Sequence, residues 1–232
     1  MNAILETLTV VGIFAAGLVA RLGIVFAVMA ALIVPVLLIA GGIKGVQAAK
    51  LWIQGYRAAG GLRFRNGLLY APGHTWVKAE GKHLRVGLDD LAQRLLPWSV
   101  SVELPSPGQK VREGEVVARI SCGHREVRVA APVSGRVSMV NAAVSREPTL
   151  AKSESYGAGW LFAVEPETSS WKSLPGGEAA RAWLAEEGAR LTRFYEHQLG
   201  LAAADGGELI GPPETLLTDA QWQALTQAFL RT

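Results

Sequence analysis

Cys122 and His124 stand one residue apart in the run Ser121-Cys122-Gly123-His124-Arg125. A thiol beside an imidazole suggests two chemistries. One is a nucleophilic thiolate activated by a neighbouring base, the other a site for a soft metal. Both lack parts. A metal site wants about four ligands and the run offers only this pair. A catalytic pair also needs a third, orienting group and a pocket. Cys122 is the chain's 1 cysteine, so no Cys-X-X-Cys pair, haem-attachment motif or intrachain disulfide is available. A lone thiol suits a reducing compartment. No Walker-type glycine loop occurs. Asp89-Asp90 offer paired carboxylates, but they sit at a turn entering a helix, where capping is the ordinary role. The expectation is a protein that is not an enzyme, with no catalytic and no metal-ligating residues.

The elements that position this run are short strands. Residues 115–120 and 126–131 roughly alternate apolar and polar side chains, as half-buried strands do. A glycine-containing link between them predicts a hairpin, with residues 121–125 at its tip. Pro132-Val133-Ser134-Gly135 then reads as a turn, and residues 136–140 as another strand.

This layout resembles the glycine cleavage H-protein family, lipoyl-carrier domains related to biotinyl carriers. The resemblance rests on Tyr70, His74, Trp76, Val77 and Glu80-Gly81, then Val86 to Asp90, Ala92-Gln93 and Leu96. Val102-Glu103-Leu104-Pro105, Gly108, Val111 and Gly114-Glu115 continue it. Pro132 to Gly135, Val140-Asn141, Leu150, Tyr156-Gly157 and Gly159-Trp160-Leu161 close it. It implies a mainly β fold with α additions, a lipoyl-carrier-like β-sandwich or barrel of the hybrid-motif kind, over residues 64–165. It also makes His74 and Trp76 framework residues. In the family, a lysine eight residues before the proline of Pro-Val-Ser-Gly receives lipoate. Counting back from Pro132 gives His124, and no lysine occurs from Val111 to Ala151. An imidazole has a short stem, and N-acyl imidazoles hydrolyse readily. The lipoyl position is therefore expected to be lost at His124, with no covalent cofactor.

Residues 1–60 read as a membrane anchor. Residues 22–40 carry no charge and would make about 28 Å of helix, against a hydrocarbon core of roughly 30 Å. Residues 8–20 are apolar too, but Arg21 follows and two spans do not fit, so the expectation is one transmembrane helix with an upstream or interfacial extension. No basic segment precedes the apolar run, as a signal peptide would require. Lys44, Lys50, Arg57, Arg63 and Arg65 follow it. By the positive-inside rule the N-terminus lies outside and the domain in the cytoplasm of a bacterial-type inner membrane. Residues 43–59, with Trp52 and Tyr56, read as a helix continuing into the interface, ended by Gly60-Gly61.

The net charge of +3 fits contact with an anionic membrane surface, and no basic stripe with interleaved aromatics points to nucleic acid. After a Pro/Ser/Gly-rich link, residues 174–232 form a helical C-terminal extension. Residues 178–199 carry an apolar stripe, interrupted at Glu187-Gly188, and residues 219–230 follow a Thr218 N-cap. Trp183, Phe194, Tyr195, Trp222 and Phe229, together with Trp52 and Tyr56, are the candidate partner contacts, because interfaces favour aromatics. The function these features suggest is a non-catalytic accessory subunit of a membrane-bound electron-transfer complex, respiratory or photosynthetic. Its partners would be the bilayer and other subunits, and lipids or pigments of the host are compatible. The alternative is a membrane-anchored carrier using Cys122 and His124, or a non-covalent ligand, in place of lipoate.

Overall fold

The computed structural model describes residues 21–22, 29, 32–43, 45–46, 55–96, 100–199 and 217–230. The chain divides into two compact units, Met1–Gln54 and Gly55–Thr232.

In the first unit, residues 32–43 form helix α1. Leu32, Ile33, Val34, Val36, Leu37, Leu38 and Ile39 on it are 46–71% exposed. A helix apolar on every side needs apolar surroundings. Among the described residues no helix is long and apolar enough to cross a membrane. Residues 23–28, 30 and 31 of the predicted span at 22–40 lie outside the described residues, as does Trp52.

The second unit begins with a hairpin, β1 (Tyr56–Ala59) and β2 (Leu62–Arg65), where the sequence suggested the end of a helix. Gly60 and Gly61 have φ of +55° and +77°. Two positive-φ residues in a two-residue loop are what a tight antiparallel hairpin needs, and glycine adopts them without steric penalty. The strand alternation follows, with Leu62 and Phe64 buried and Arg63 exposed. Tyr56 therefore belongs to this domain: its ring meets Tyr156 edge-on at 5.8 Å.

Six strands make the main sheet: β3 (Leu69–Ala71), β4 (Thr75–Glu80), β5 (His83–Leu88), β7 (Lys110–Val111), β10 (Gly135–Val140) and β11 (Phe162–Pro166). Their order is β3-β4-β5-β11-β10-β7, every pair antiparallel. A second sheet holds β6 (Ser101–Glu103), β8 (Val116–Cys122) and β9 (Arg125–Ala130) in the order β6-β8-β9. Ala118, Ile120, Val127 and Val129 point into the core while Arg119 and Arg128 face water, which is the period-2 alternation the sequence displays. Gly87 is fixed by packing, since a Cβ there would lie 2.4 Å from the Trp76 ring.

Helix α2 (Asp90–Leu95) starts from Asp89, whose side chain accepts from the Ala92 amide at 3.0 Å, the capping role expected of it. Short helices α3 (Ala142–Arg146) and α4 (Leu150–Ser153) follow β10. Helices α5 (Gly177–Leu199) and α6 (Asp219–Leu230) match the predicted bounds closely. Thr218 and Gln221 form the reciprocal cap that opens α6, with hydrogen bonds of 2.9 and 3.3 Å.

The extension is not an appendage. Ala180, Leu184, Leu191, Leu225 and Phe229 are at most 1% exposed and join the same core as the sheets. Helix α5 runs unbroken through Glu187 and Gly188, because Gly188 is where the β1–β2 turn touches it. A Cβ on Gly188 would sit 2.1 Å from the Gly60 carbonyl oxygen. The aromatic stripe is likewise covered from within the chain: Tyr195, Trp222 and Phe229 are 7%, 5% and 1% exposed, so these three are core residues, not free contact residues.

Candidate functional site

Strands β8 and β9 pair from Val116↔Ala130 to Cys122↔Arg125, leaving Gly123 and His124 as the loop. Gly123 has φ +57°, and glycine at the first central position is what a type II′ loop uses. The predicted tip is thus where the sequence put it. Cys122 ends β8 opposite Arg125, and His124 is exposed beyond it.

The partner of the tip comes from the far end of the chain. His124 Nε2 donates to Asp219 Oδ1 at 2.9 Å. Arg125 Nε donates to the same oxygen at 3.2 Å, and its Nη2 donates to the Leu217 carbonyl at 2.6 Å. The Arg125 guanidinium also lies 5.4 Å from the centre of the Trp222 ring. Asp219 occupies the first turn of α6, where the helix dipole favours a carboxylate. Its carboxyl is held below the usual aspartate range, first by the His124 hydrogen bond and further by Arg125. These contacts bond the hairpin loop to the first turn of α6 and the residues before it. Among the described residues no group of three or more His, Cys, Asp or Glu is placed to hold a metal.

Beside the tip, between β9 and α6, lies a cavity of about 340 Å³ lined by His124, Arg125, Arg128, Asp219, Trp222 and Gln223, among others. The Trp222 indole N–H is buried with no acceptor among the described residues.

A second cluster holds α5 on the sheet. His74 is buried and has φ +60°, the only non-glycine residue with positive φ among the described residues. Its Nδ1 lies 2.7 Å from Asp89 Oδ2, its Nε2 lies 3.5 Å from Glu187 Oε2, and its ring stacks on Trp183 at 5.1 Å. Burial by itself would push the imidazole pKa down. The charge and hydrogen bond of Asp89, helped by Glu187, outweigh that and raise it to about 9. His74 is therefore a buried imidazolium between two carboxylates, more than the framework residue the sequence suggested. Tyr156 braces the same region: its hydroxyl donates to the Arg63 carbonyl at 2.9 Å and accepts from the Asp90 amide at 3.0 Å. Tyr70 does the same for β2 through the amide and carbonyl of Arg65. The sequence holds no signal for the His74–Glu187 and His124–Asp219 pairs, since each joins residues about a hundred positions apart.

The two larger antiparallel sheets and the exposed β8–β9 loop make this a small β-domain that presents one hairpin. The sequence model of the Glycine cleavage H-protein family matches residues 68–187, which ends inside α5. The mitochondrial glycine cleavage system H protein of Pisum sativum is 36% identical over 125 residues, 53% of this chain and 76% of that protein. The glycine cleavage system H protein of Photorhabdus laumondii is 37% identical over 122 residues, 52% of this chain and 94% of that protein. That of Thermotoga maritima is 41% identical over 96 residues, 41% of this chain and 77% of that protein. A crystal structure of the H protein from Mycobacterium marinum superposes with a TM-score of 0.46 at 28% identity, covering 54% of this chain and 99% of that one. The chain belongs to the glycine cleavage H-protein family.

Proposed function

We propose that this chain is an H-protein-fold subunit that has lost the covalent arm and serves as a non-catalytic scaffold, anchored in a membrane by its amino-terminal segment. The observation that carries this reading is the state of the tip. Where the family presents a long, free amine, this chain presents an imidazole held 2.9 Å from Asp219, and residues 111–151 contain no lysine to substitute for it. A swinging arm needs a long stem and a free tip. This tip has a short stem and is tethered.

Support for the anchor comes from the uncharged run at 22–40 and from the exposed apolar side chains of α1. An anchor fixes the domain beside one neighbour and so raises its effective concentration there. No feature among the described residues selects an electron-transfer host over any other membrane complex. The test is purification of the full chain from its native membrane in mild detergent. Stoichiometric recovery with integral membrane subunits is expected. Recovery of the chain alone, or in the soluble fraction, would refute the reading.

The cavity of about 340 Å³ beside the tip favours a second reading, a carrier-type component that holds a non-covalent ligand near Cys122 and His124. Under that reading His124→Ala abolishes the activity of the host complex while assembly stays intact. Under the scaffold reading both are unchanged.

A further inference from the structure

Helices α5 and α6 enclose a second, shallower groove, of about 410 Å³, lined by Arg190, Arg193, Phe194, His197, Ala228 and Phe229. Residues 190, 193 and 197 stand at i, i+3 and i+7, so they share one face of α5. Phe194 and Phe229 meet edge-on at 5.7 Å; Phe229 belongs to the core, and half-buried Phe194 is the apolar side chain partly open to the groove. Arg190 is committed to the fold. It pairs with Glu187 at 2.9 Å, donates to the Ala228 carbonyl at 2.8 Å and lies 4.4 Å from the centre of the Phe229 ring. Arg193 and His197 are exposed, and Arg193 has no ion-pair partner among the described residues. Among the described residues no carboxylate lines this groove, Glu187 meeting Arg190 from outside the lining. The cavity at the tip, by contrast, counts the carboxylates of Glu126 and Asp219 among its lining residues.

We propose that this groove binds the phosphodiester headgroup of an anionic phospholipid, with the first methylenes of the lipid lying over Phe194. The inference rests on the membrane-anchored reading above, and it names the lipid chemistry that the domain would meet. The charge is one-signed, and guanidinium matches phosphate in planar, bidentate geometry. A chain tethered at a bilayer meets lipid phosphate at high effective concentration, so modest intrinsic affinity suffices.

Native mass spectrometry of the full chain in neutral detergent, with phosphatidylglycerol or phosphatidylcholine added, tests this. The wild-type chain is expected to retain phosphatidylglycerol about five-fold better, as one surface guanidinium at about 1 kcal/mol allows. Arg193→Glu combined with His197→Glu should bring that ratio close to the residual set by the basic residues after the anchor, with the melting temperature unchanged. Equal ratios in the two proteins would overturn the proposal. Displacement of the lipid by millimolar glycerol phosphate would overturn the lipid assignment in favour of a free phosphoester. Tight capture of a glutamate-rich peptide without any lipid preference would overturn it in favour of an acidic protein segment. A wild-type chain that stays monodisperse without detergent removes the anchored reading itself. Failure of the groove alone leaves the detergent requirement in place.

Discussion

His124 and Asp219, ninety-five residues apart, meet at 2.9 Å, and their contact ties the hairpin tip to the first turn of the last helix. Both side chains are well exposed, 73% and 61%. Water screens such a pair, and exposed ion pairs add little to global stability. Its effect is local: it removes the freedom of a two-residue loop.

Asp219→Ala should accordingly leave the thermal midpoint within about 2 °C of wild type. Hydrogen exchange at the amides of Gly123 and His124 should nonetheless become faster. A large fall in the midpoint, or no change in exchange, would show that the pair does not act as a local tether.

The His74 cluster predicts a pH profile. The imidazole titrates near 9 in the folded chain, against about 6.5 when unfolded. A raised folded pKa adds stability that is fully present below pH 6.5 and is lost as pH rises through 9. The shift is worth about 3 kcal/mol. Urea unfolding of the full chain in detergent at pH 6 and pH 10 should show that loss. His74→Ala should lower stability at pH 6 by roughly 3–5 kcal/mol, because Asp89 is left buried without its partner, and should flatten the profile.

The Gly60–Gly188 contact predicts intolerance on a helix that otherwise favours alanine. Gly188→Ala would gain about 1 kcal/mol from helix propensity alone. A Cβ at 2.1 Å from the Gly60 oxygen forces the backbones apart, and overpacking of that kind costs about 1–3 kcal/mol. Net destabilisation is expected by thermal melting. A more stable Gly188→Ala protein would mean that α5 does not press on the β1–β2 turn.

Much of this fold was legible because its signals are local. The tip at Gly123-His124 lies between two alternating runs. The start of α6 follows from Thr218, and Asp89 announces the start of α2. The first hairpin was not legible, because Gly60-Gly61 stops a helix and turns a hairpin equally well. Its Arg and Ala neighbours favour a helix, and only the crossing of α5 selects the strand. A stripe of aromatics, in the same way, says that a face is covered without saying by what. Tyr195, Trp222 and Phe229 are covered by their own chain.

That covering changes what truncation should do. Removing residues 174–232 strips Ala180, Leu184, Leu191, Leu225 and Phe229 from the common core, so the domain itself should fail to fold. Phe229→Ala alone should cost about 3–5 kcal/mol, measured by denaturant unfolding. A stable, β-rich protein ending before Gly177 would show instead that the extension is separable.

The central claim is that this member of the family carries no covalent arm, and intact mass spectrometry of the full chain from its native membrane tests it most directly. The predicted result is a single species at the mass of the bare 24.7 kDa polypeptide, apart from ordinary processing of the amino terminus. A species heavier by a lipoyl group, mapped by fragmentation to residues 121–125, would contradict the claim and return the chain to the carriers.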